Sequence, residues 1–483
     1  MQLLARVSFL LVSLCSATAF LPINIHVQKQ GSHRVQRSSN MAVDAVQWVQ
    51  SLEKDVKPVI ALREGRCRAT FPIKKGDPLI AVPSGVILDT NKFISKYNSA
   101  VTASSLRTGD LGILALLLLC ERNSKDSKWS SYLTSLPTTP PGIMGWSAEE
   151  LAELYSSTTR NIAAQVEAIE SDFHTIKSKA LPILPELTLE EFKWAMGIVK
   201  SRVLYIDNKP CLVPGLDSIP FDPFSSAEPF LANAGMFGAK VIKVLADRNY
   251  NAGDEVFISY GLKSSAECLE DHGMVPLLEL ADACAEMSVS IEPTDKFSDD
   301  KENVLEYAGY GKRQRFDLEA EVEVDPLLLQ FLRLKLIEGK DAFILEACFK
   351  DTIWQTLTLP FSKPNEIKVM TYISNACANG LDKINAISSE AEDETLLSEK
   401  DIEHPSSEFE RRKLLMAELR QQERAALKGT LNYVTEELKT LEGQGLDTRE
   451  YYQERRLREL NLLRPLEESE IIMPGDRPPL DDY

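Results

Sequence analysis

Residues 252–275 read AGDEVFISYGLKSSAECLEDHGMV, from Ala252 to Val275, and no other stretch says as much about the chain. Gly253-Asp254 turns the backbone, and Val256, Phe257 and Ile258 predict a short apolar strand. That strand ends on Ser259-Tyr260-Gly261, and Ser264 to His272 predicts a short helix. A tyrosine delivered at the end of a buried strand, next to a glycine, has its ring fixed and its hydroxyl aimed at a cavity. A core tyrosine with a satisfied hydroxyl is the plainer alternative for the same pattern.

The surrounding residues bear on that choice. Gly253-Asp254-Glu255 followed by Ile258-Ser259-Tyr260-Gly261 resembles the closing motif of SET-domain protein methyltransferases. Lys263-Ser264-Ser265-Ala266-Glu267 and His272-Gly273-Met274-Val275 resemble the subgroup containing Rubisco large-subunit lysine methyltransferase. Asp341 to Pro360, DAFILEACFKDTIWQTLTLP, with Asn365-Glu366 after it, is similar to the helical substrate-binding domain of those enzymes. Asp126-Ser127-Lys128-Trp129, Tyr132-Leu133 and Leu136-Pro137 are similar to the insert within their SET domain. The resemblance runs from roughly residue 53 to roughly residue 460.

It implies an α+β fold: a SET-domain β-structure interrupted by a helical insert, followed by an all-α substrate-binding domain. The SET domain is expected over 53–263, with its insert at about 100–200. A connection follows over 264–295, then the helical domain over 296–465 and an acidic disordered tail over 466–483.

Composition sets the outer limits. At 483 residues the chain exceeds one compact core, so two or three domains are expected. A net charge of −18 argues against nucleic acid or an anionic membrane as the main partner. The eight cysteines, at positions 15, 67, 120, 211, 268, 284, 348 and 377, show no CxxC and no Cys/His ligand spacing. Reduced thiols are expected, with neither a zinc site nor a disulfide scaffold. Many histone-directed SET enzymes carry a cysteine-rich zinc cluster after the catalytic tyrosine, and this chain has none.

The first forty residues read as a targeting segment. Leu3 to Leu14 is largely apolar, and Ala17-Thr18-Ala19 offers a small-x-small cleavage site, as in a secretory signal. Phe20 to Asn40 is basic and serine-bearing, and the first acidic residue of the chain is Asp44, which is the composition of a transit peptide. Together they resemble the bipartite plastid presequence of algae with secondary plastids; plain secretion is the alternative. Its removal takes away four basic residues and no acids, so the remaining chain carries about −22.

Along the rest, Val46–Leu52 predicts a helix start, and Val59–Ala61, Ala69–Phe71 and Leu79–Pro83 predict short strands. Leu111 to Cys120, LGILALLLLC, is apolar all round and predicts a buried helix too short to cross a bilayer. Ser147-Ala-Glu-Glu150 and Thr188-Leu-Glu-Glu191 are capping-box signals opening two helices. Asp325-Pro326 opens a helix over 327–337 that Gly339 stops. Further helices are expected at 341–349, 364–387, 407–440 and 447–461. Ser388 to Glu403, acidic and weakly hydrophobic, reads as a mobile loop.

The resemblance also implies a chemistry. Lysine methylation moves a methyl group from S-adenosylmethionine to a neutral amine, with no metal required. A free lysine has a pKa of about 10.4, so a desolvated channel must favour the neutral form. Alignment of nitrogen, methyl and sulfur supplies the rest. Tyr260 is the expected catalytic residue and also borders the cofactor.

Cofactor contacts are implied at Glu64-Gly65-Arg66, at Pro220-Phe221 and at Tyr260; substrate-side contacts are implied at Ser201, Arg202, Asp217 and His272. An arginine that simply ends a helix is the other reading of Arg202. Four positions depart from the family. Cys67 stands where a second glycine is preferred. Pro220-Phe221 replaces the Asn-His of Asp-x-x-Asn-His, removing an amide donor and leaving a ring face. His272 replaces a second tyrosine at the lysine pocket. The implied partner is a protein, Rubisco large subunit or plastid fructose-bisphosphate aldolase, with no nucleic acid and no stable membrane association. A second reading stays open: a weak or inactive relative that serves as a protein-binding module.

Overall fold

The computed structural model describes residues 45–52, 59–63, 66–97, 101–179, 184–233, 240–320, 323–346, 350–399 and 405–443. The presequence, the helix expected at 447–461 and the tail lie outside them, as do Glu64 and Gly65.

Short strands and a helical insert build the N-terminal part. Helix α1 (Ala45–Ser51) precedes the hairpin of β1 (Ile60–Arg63) and β2 (Arg66–Ala69), in which Arg63 faces Arg66 and Ile60 faces Ala69. The strand expected at 69–71 therefore ends at Ala69; Pro72 has no amide hydrogen to extend a ladder. After β3 (Pro78–Pro83) and β4 (Leu88–Asp89) come α2 (Thr90–Tyr97), α3 (Asp110–Asn123), α4 (Ser130–Ser135), α5 (Ala148–Ser156), α6 (Ile162–Ser178) and α7 (Leu189–Arg202). The chain then returns to strands: β5 (Leu204–Ile206), β6 (Lys209–Leu212), β7 (Phe230–Asn233) and β8 (Lys240–Leu245). The sheets are antiparallel, ordered β3-β8-β7 and β4-β6-β5.

Helix α3 is the apolar run read from the sequence, and Gly112 to Glu121 are all buried. Glu121 is tolerated there because Lys96 Nζ (2.6 Å), Tyr97 Oη (2.7 Å) and Ser127 Oγ (2.8 Å) all donate to it. Burial opposes its charge, but these donors outweigh burial and hold its pKa below the ordinary value. Both capping boxes form, with Ser147 and Thr188 accepting from the amides of Glu150 and Glu191.

The C-terminal part is mostly helical: α8 (Ser265–His272), β9 (Cys284–Ser290), α9 (Ser298–Ala308), β10 (Arg313–Glu319), α10 (Pro326–Lys335), α11 (Lys350–Thr356), α12 (Lys363–Asn385), α13 (Glu390–Glu399) and α14 (Glu408–Gly443). It is not purely α, because β9 and β10 pair over seven residues. Ala285, Met287 and Val289 of β9 pack into the helical core, so 284–290 of the expected connection contributes to that core. Helix α10 starts as read, with Asp325 accepting from Leu327 N–H and Pro326 in the first turn. Gly339, at φ +61°, opens a 3-10 stretch over Gly339–Glu346 in place of the α-helix expected from 341.

The expected loop at 388–403 is largely helix α13. Its anchor is Asp393, buried against Arg420 (2.6 and 2.9 Å) and Arg424 (2.6 Å) of α14. Two arginines at i and i+4 present one face, and a helix with little apolar surface docks through charge. The junction between the two parts combines an apolar cluster, Trp146, Ile162, Leu269, Leu415 and Leu419 among them, with buried polar contacts from α14. Glu423 accepts from Thr158 Oγ1 (2.5 Å) and Thr159 N–H (2.6 Å), and Ser265 meets Gln422 at 2.5 Å. Six cysteines are free thiols among the described residues; burial pushes Cys120, Cys211, Cys268, Cys284 and Cys377 up to about 12.

Candidate active site

Two segments cross to make the site. After β6, Leu212-Val213-Pro214 runs into Gly215, whose φ of +82° suits glycine, and then into a 3-10 turn over Leu216–Ser218. A Cβ on Gly215 would stand 3.0 Å from the carbonyl oxygen of Ala45, so the turn also packs tightly against α1. Beyond the turn, Phe221 forms a parallel bridge with Ile258. Ile258 N–H donates to Pro220 O (3.1 Å), and Asp222 N–H donates to Ile258 O (3.1 Å).

The strand expected at Val256–Ile258 is thus not part of a ladder. Val256 N–H reaches Cys67 O (2.8 Å), Ile258 reaches Pro220, and Ser259 N–H reaches Ala227 O (3.0 Å). Each amide finds a different segment, so the backbone is satisfied without a continuous neighbour. The crossing delivers Tyr260 to the turn. Its Oη lies 3.1 Å from Asp217 O and 3.0 Å from Ile219 O, and its single proton is shared between these acceptors.

Three rings meet there. Phe221 stacks on His272 at 4.8 Å and 18°, Phe221 and Tyr260 are 5.6 Å apart, and Tyr260 and His272 are 5.7 Å apart. Each contact falls in the range where aromatic pairs attract. Behind the rings, Asp217 is buried against Tyr132 and Arg202. Tyr132 Oη donates to Asp217 Oδ2 at 2.5 Å, Arg202 Nη1 donates to Asp217 O at 2.8 Å, and Arg202 Nη1 lies 3.6 Å from Oδ1. Burial, with the Asp217 charge behind it, raises the Tyr132 phenol well above its ordinary value, so it remains a donor.

Helix α8 carries His272 into this cluster. Ser264 and Glu267 form its capping box, and Gly273 ends it in the left-handed conformation. A Cβ on Gly142 would come within 2.1 Å of Glu270 O, so only glycine lets the insert approach the end of α8. A buried ionic cluster fixes the approach: Arg160 and Lys200 meet Glu270, Lys200 meets Asp271 at 3.2 Å, and Lys263 meets Asp271 at 2.6 Å. Burial opposes the Lys200 charge, but Glu270 and Asp271 outweigh it and its pKa is raised.

The structure therefore brings Tyr260, Phe221, His272, Asp217 and Arg202 together. Ser201 is buried beside Arg202, but its hydroxyl donates to Ile198 O within its own helix (3.1 Å). Arg66 meets the Tyr260 segment further upstream, through Glu255 at 3.3 Å. Cys67 is buried in the β-core. Arg202 does more than end a helix, since it grips Asp217. Tyr132 and the carbonyl of Ile219 were missed as site groups; Tyr132 stood in the sequence only as part of the insert motif.

This donor set suits a cationic group beside an aromatic one. Aromatic faces attract a sulfonium or an ammonium and also stack on a purine. The Pro220 carbonyl is engaged by Ile258 N–H, and proline supplies no amide donor, so what remains at this point is ring surface and backbone.

Comparison with known proteins agrees with this geometry. Residues 292–427 match the family model for Rubisco LSMT substrate-binding. The chain is 31% identical over 398 residues, 78% of its length and 79% of the other's, to "[Fructose-bisphosphate aldolase]-lysine N-methyltransferase, chloroplastic" of Arabidopsis thaliana. It is 28% identical to the chloroplastic ribulose-1,5 bisphosphate carboxylase/oxygenase large subunit N-methyltransferase of Nicotiana tabacum, covering 83% of this chain and 84% of that one. The structure superposes on the SET domain of LSMT bound to lysine and AdoHcy with a TM-score of 0.68 and 27% identity, over 88% of this chain and 97% of the other. The crossing segments, the helical insert and the helical substrate-binding part agree with these likenesses, and the chain belongs to the Rubisco large-subunit methyltransferase type of SET-domain protein-lysine N-methyltransferases.

Proposed function

We propose that this chain methylates a lysine of a folded plastid protein, with S-adenosylmethionine as methyl donor. The observation that carries the reading is Tyr260, whose hydroxyl is shared by two backbone carbonyls within an aromatic cluster. S-adenosylmethionine supplies, when bound, an electrophilic methyl group on a sulfonium centre. Phe221, Tyr260 and the backbone at Pro220 would hold it, with Glu64, Gly65 and Arg66 as the further expected contacts.

Tyr260 acts by orientation. Its proton is committed to Asp217 O and Ile219 O, which fixes the direction in which the hydroxyl oxygen faces the reacting centre. The rings of Tyr260, Phe221 and His272 desolvate the incoming amine and favour its neutral form. They also attract positive charge as it develops on nitrogen. Asp217 and Arg202 keep the acceptor turn in place, and Ser201 stands beside Arg202 at the end of the same helix.

The helical part is the docking surface for the protein substrate, and Rubisco large subunit and plastid fructose-bisphosphate aldolase are the two candidates. Residues 53–263 are the catalytic region and 296–465 the docking region, with 264–295 between them lending β9 to the docking region's core. The acid-free presequence supports delivery into a plastid of secondary origin. Residues 1–40 fused to a fluorescent protein would reach that plastid, and secretion of the fusion would overturn this part. For the activity, calorimetric titration with S-adenosylhomocysteine and methyl transfer to purified Rubisco large subunit or aldolase are the tests. Binding and a methylated lysine are expected; no binding at millimolar concentration would overturn the reading.

A further inference from the structure

We infer that Tyr132 is a positioning residue for methyl transfer, acting on Tyr260 through Asp217. The inference rests on the proposed methyltransferase reading and adds a residue from outside the crossing segments. Tyr132 sits on the six-residue α4 of the insert, with no exposed surface. Its hydroxyl crosses 85 residues of sequence to meet Asp217 Oδ2 at 2.5 Å.

Asp217 is held at both ends. Tyr132 takes one carboxylate oxygen, Arg202 faces the other at 3.6 Å, and Arg202 also donates to the backbone carbonyl at 2.8 Å. That same carbonyl is one of the two acceptors of the Tyr260 hydroxyl. A carbonyl oxygen has two lone pairs, so Arg202 and Tyr260 together fill it. The turn is short and internally bonded: Asp217 N–H reaches Val213 O (3.0 Å), and Ile219 N–H reaches Leu216 O (3.0 Å). A shift of the Asp217 side chain therefore moves both acceptors of Tyr260 together.

Burial keeps the Tyr132 phenol protonated, so the donor is present throughout the working range of pH. Replacing Tyr132 with phenylalanine removes this donor and keeps the ring in its packing. The turn then relaxes towards Arg202, and Tyr260 loses its fixed orientation. Displacements of about 1 Å near a reacting centre cost on the order of 100-fold in rate.

The test is a double-mutant cycle on the full-length enzyme, with methyl transfer to the lysine substrate as readout. Tyr132→Phe is expected to lower kcat by about 10- to 100-fold. KM for S-adenosylmethionine and affinity for S-adenosylhomocysteine are expected to stay within about threefold, since the loss acts in the transition state. In the Tyr260→Phe background, adding Tyr132→Phe is expected to cost little more, because the two act on one turn. A purely structural role would lower thermal stability and leave kcat of the folded fraction intact, and full kcat would overturn the inference. Losses that multiply independently would overturn it too. If Tyr132→Phe does not fold, Arg202→Lys takes its place, and the same kcat-selective, non-additive loss is required of it. S-adenosylhomocysteine binding without any wild-type methyl transfer would overturn both the methyltransferase reading and this role; normal wild-type turnover with unimpaired variants would overturn this role alone.

Discussion

Asp217 and Asp393 are both buried carboxylates clasped by arginine, and they serve different ends. Asp393 meets Arg420 and Arg424 through three short contacts of 2.6–2.9 Å, on a helix with little apolar surface of its own. Burial opposes its charge, yet the two guanidiniums outweigh burial and its pKa lies below the ordinary value. Asp217 has Arg202 at 3.6 Å, a tyrosine hydroxyl at 2.5 Å and a backbone carbonyl that receives two donors. In the first case the carboxylate anchors an element. In the second it sets the position of an acceptor. The geometry of the partners separates an ion pair that holds the fold from one that aims a side chain.

Asp393→Ala tests this separation with the largest effect. It leaves two buried arginines uncompensated, and breaking such a pair costs about 3–5 kcal/mol. Urea denaturation is expected to show that loss, with faster proteolysis over 390–399, while S-adenosylhomocysteine affinity is unchanged. Lost affinity in the folded variant would mean that the two clusters are coupled.

Tyr260→Phe probes the other side of the comparison. Removing one preorganised group at a reacting centre costs about 10²–10³ in kcat. That loss is expected with little change in cofactor affinity or stability, because the ring and its neighbours remain. Unchanged turnover would remove Tyr260 from the mechanism.

Glu423 extends the comparison to a carboxylate whose donors are a hydroxyl and a backbone amide. It is buried at the junction, facing Thr158, Thr159 and Lys383, and burial pushes its pKa from 4.5 up to about 7. Between those values the folded chain keeps a proton that the unfolded chain has released. Stability therefore falls as pH rises through that window, by about 3 kcal/mol in all, and levels off above it. Glu423→Gln is expected to flatten the dependence in urea titrations between pH 5 and about 8.

Pro220→Asn with Phe221→His gives the smallest expected effect. Restoring the family pair adds side-chain donors worth about 1–3 kcal/mol, but it also removes the Phe221–His272 stack, worth about 0.5–1.5 kcal/mol. Tighter binding of S-adenosylhomocysteine, by roughly tenfold, is expected in calorimetry. No change would show that ring surface serves this pocket as well as the amide pair does.

Much of this was legible in the chain. The short helix from Ser264, the boxes at Ser147 and Thr188, the buried α3 and the Asp325-Pro326 start all formed, because each depends on residues within a turn of one another. The family motifs imply that Phe221 and Tyr260 share one site, and their rings lie 5.6 Å apart. Val256–Ile258 predicts a strand but forms no ladder, since apolar β-rich residues look alike whether their amides pair with one neighbour or with three. Composition reads Ser388 to Glu403 as a loop, whereas Glu390–Glu399 is helix, since hydropathy does not register a helix docked by charge.

The sequence by itself determined where helices begin, which segments are apolar enough to be buried, and which tyrosine stands beside the glycine that ends the site segment. Those choices rest on capping, propensity and periodicity, which act over a few residues. Only the tertiary structure decided that Tyr132 meets Asp217, that Glu423 meets Thr158 across 265 residues, and that Phe221 stacks on His272. Such pairings exist because burial strips each polar group of water and obliges it to find a partner, and which partner is within reach depends on how the whole chain has closed.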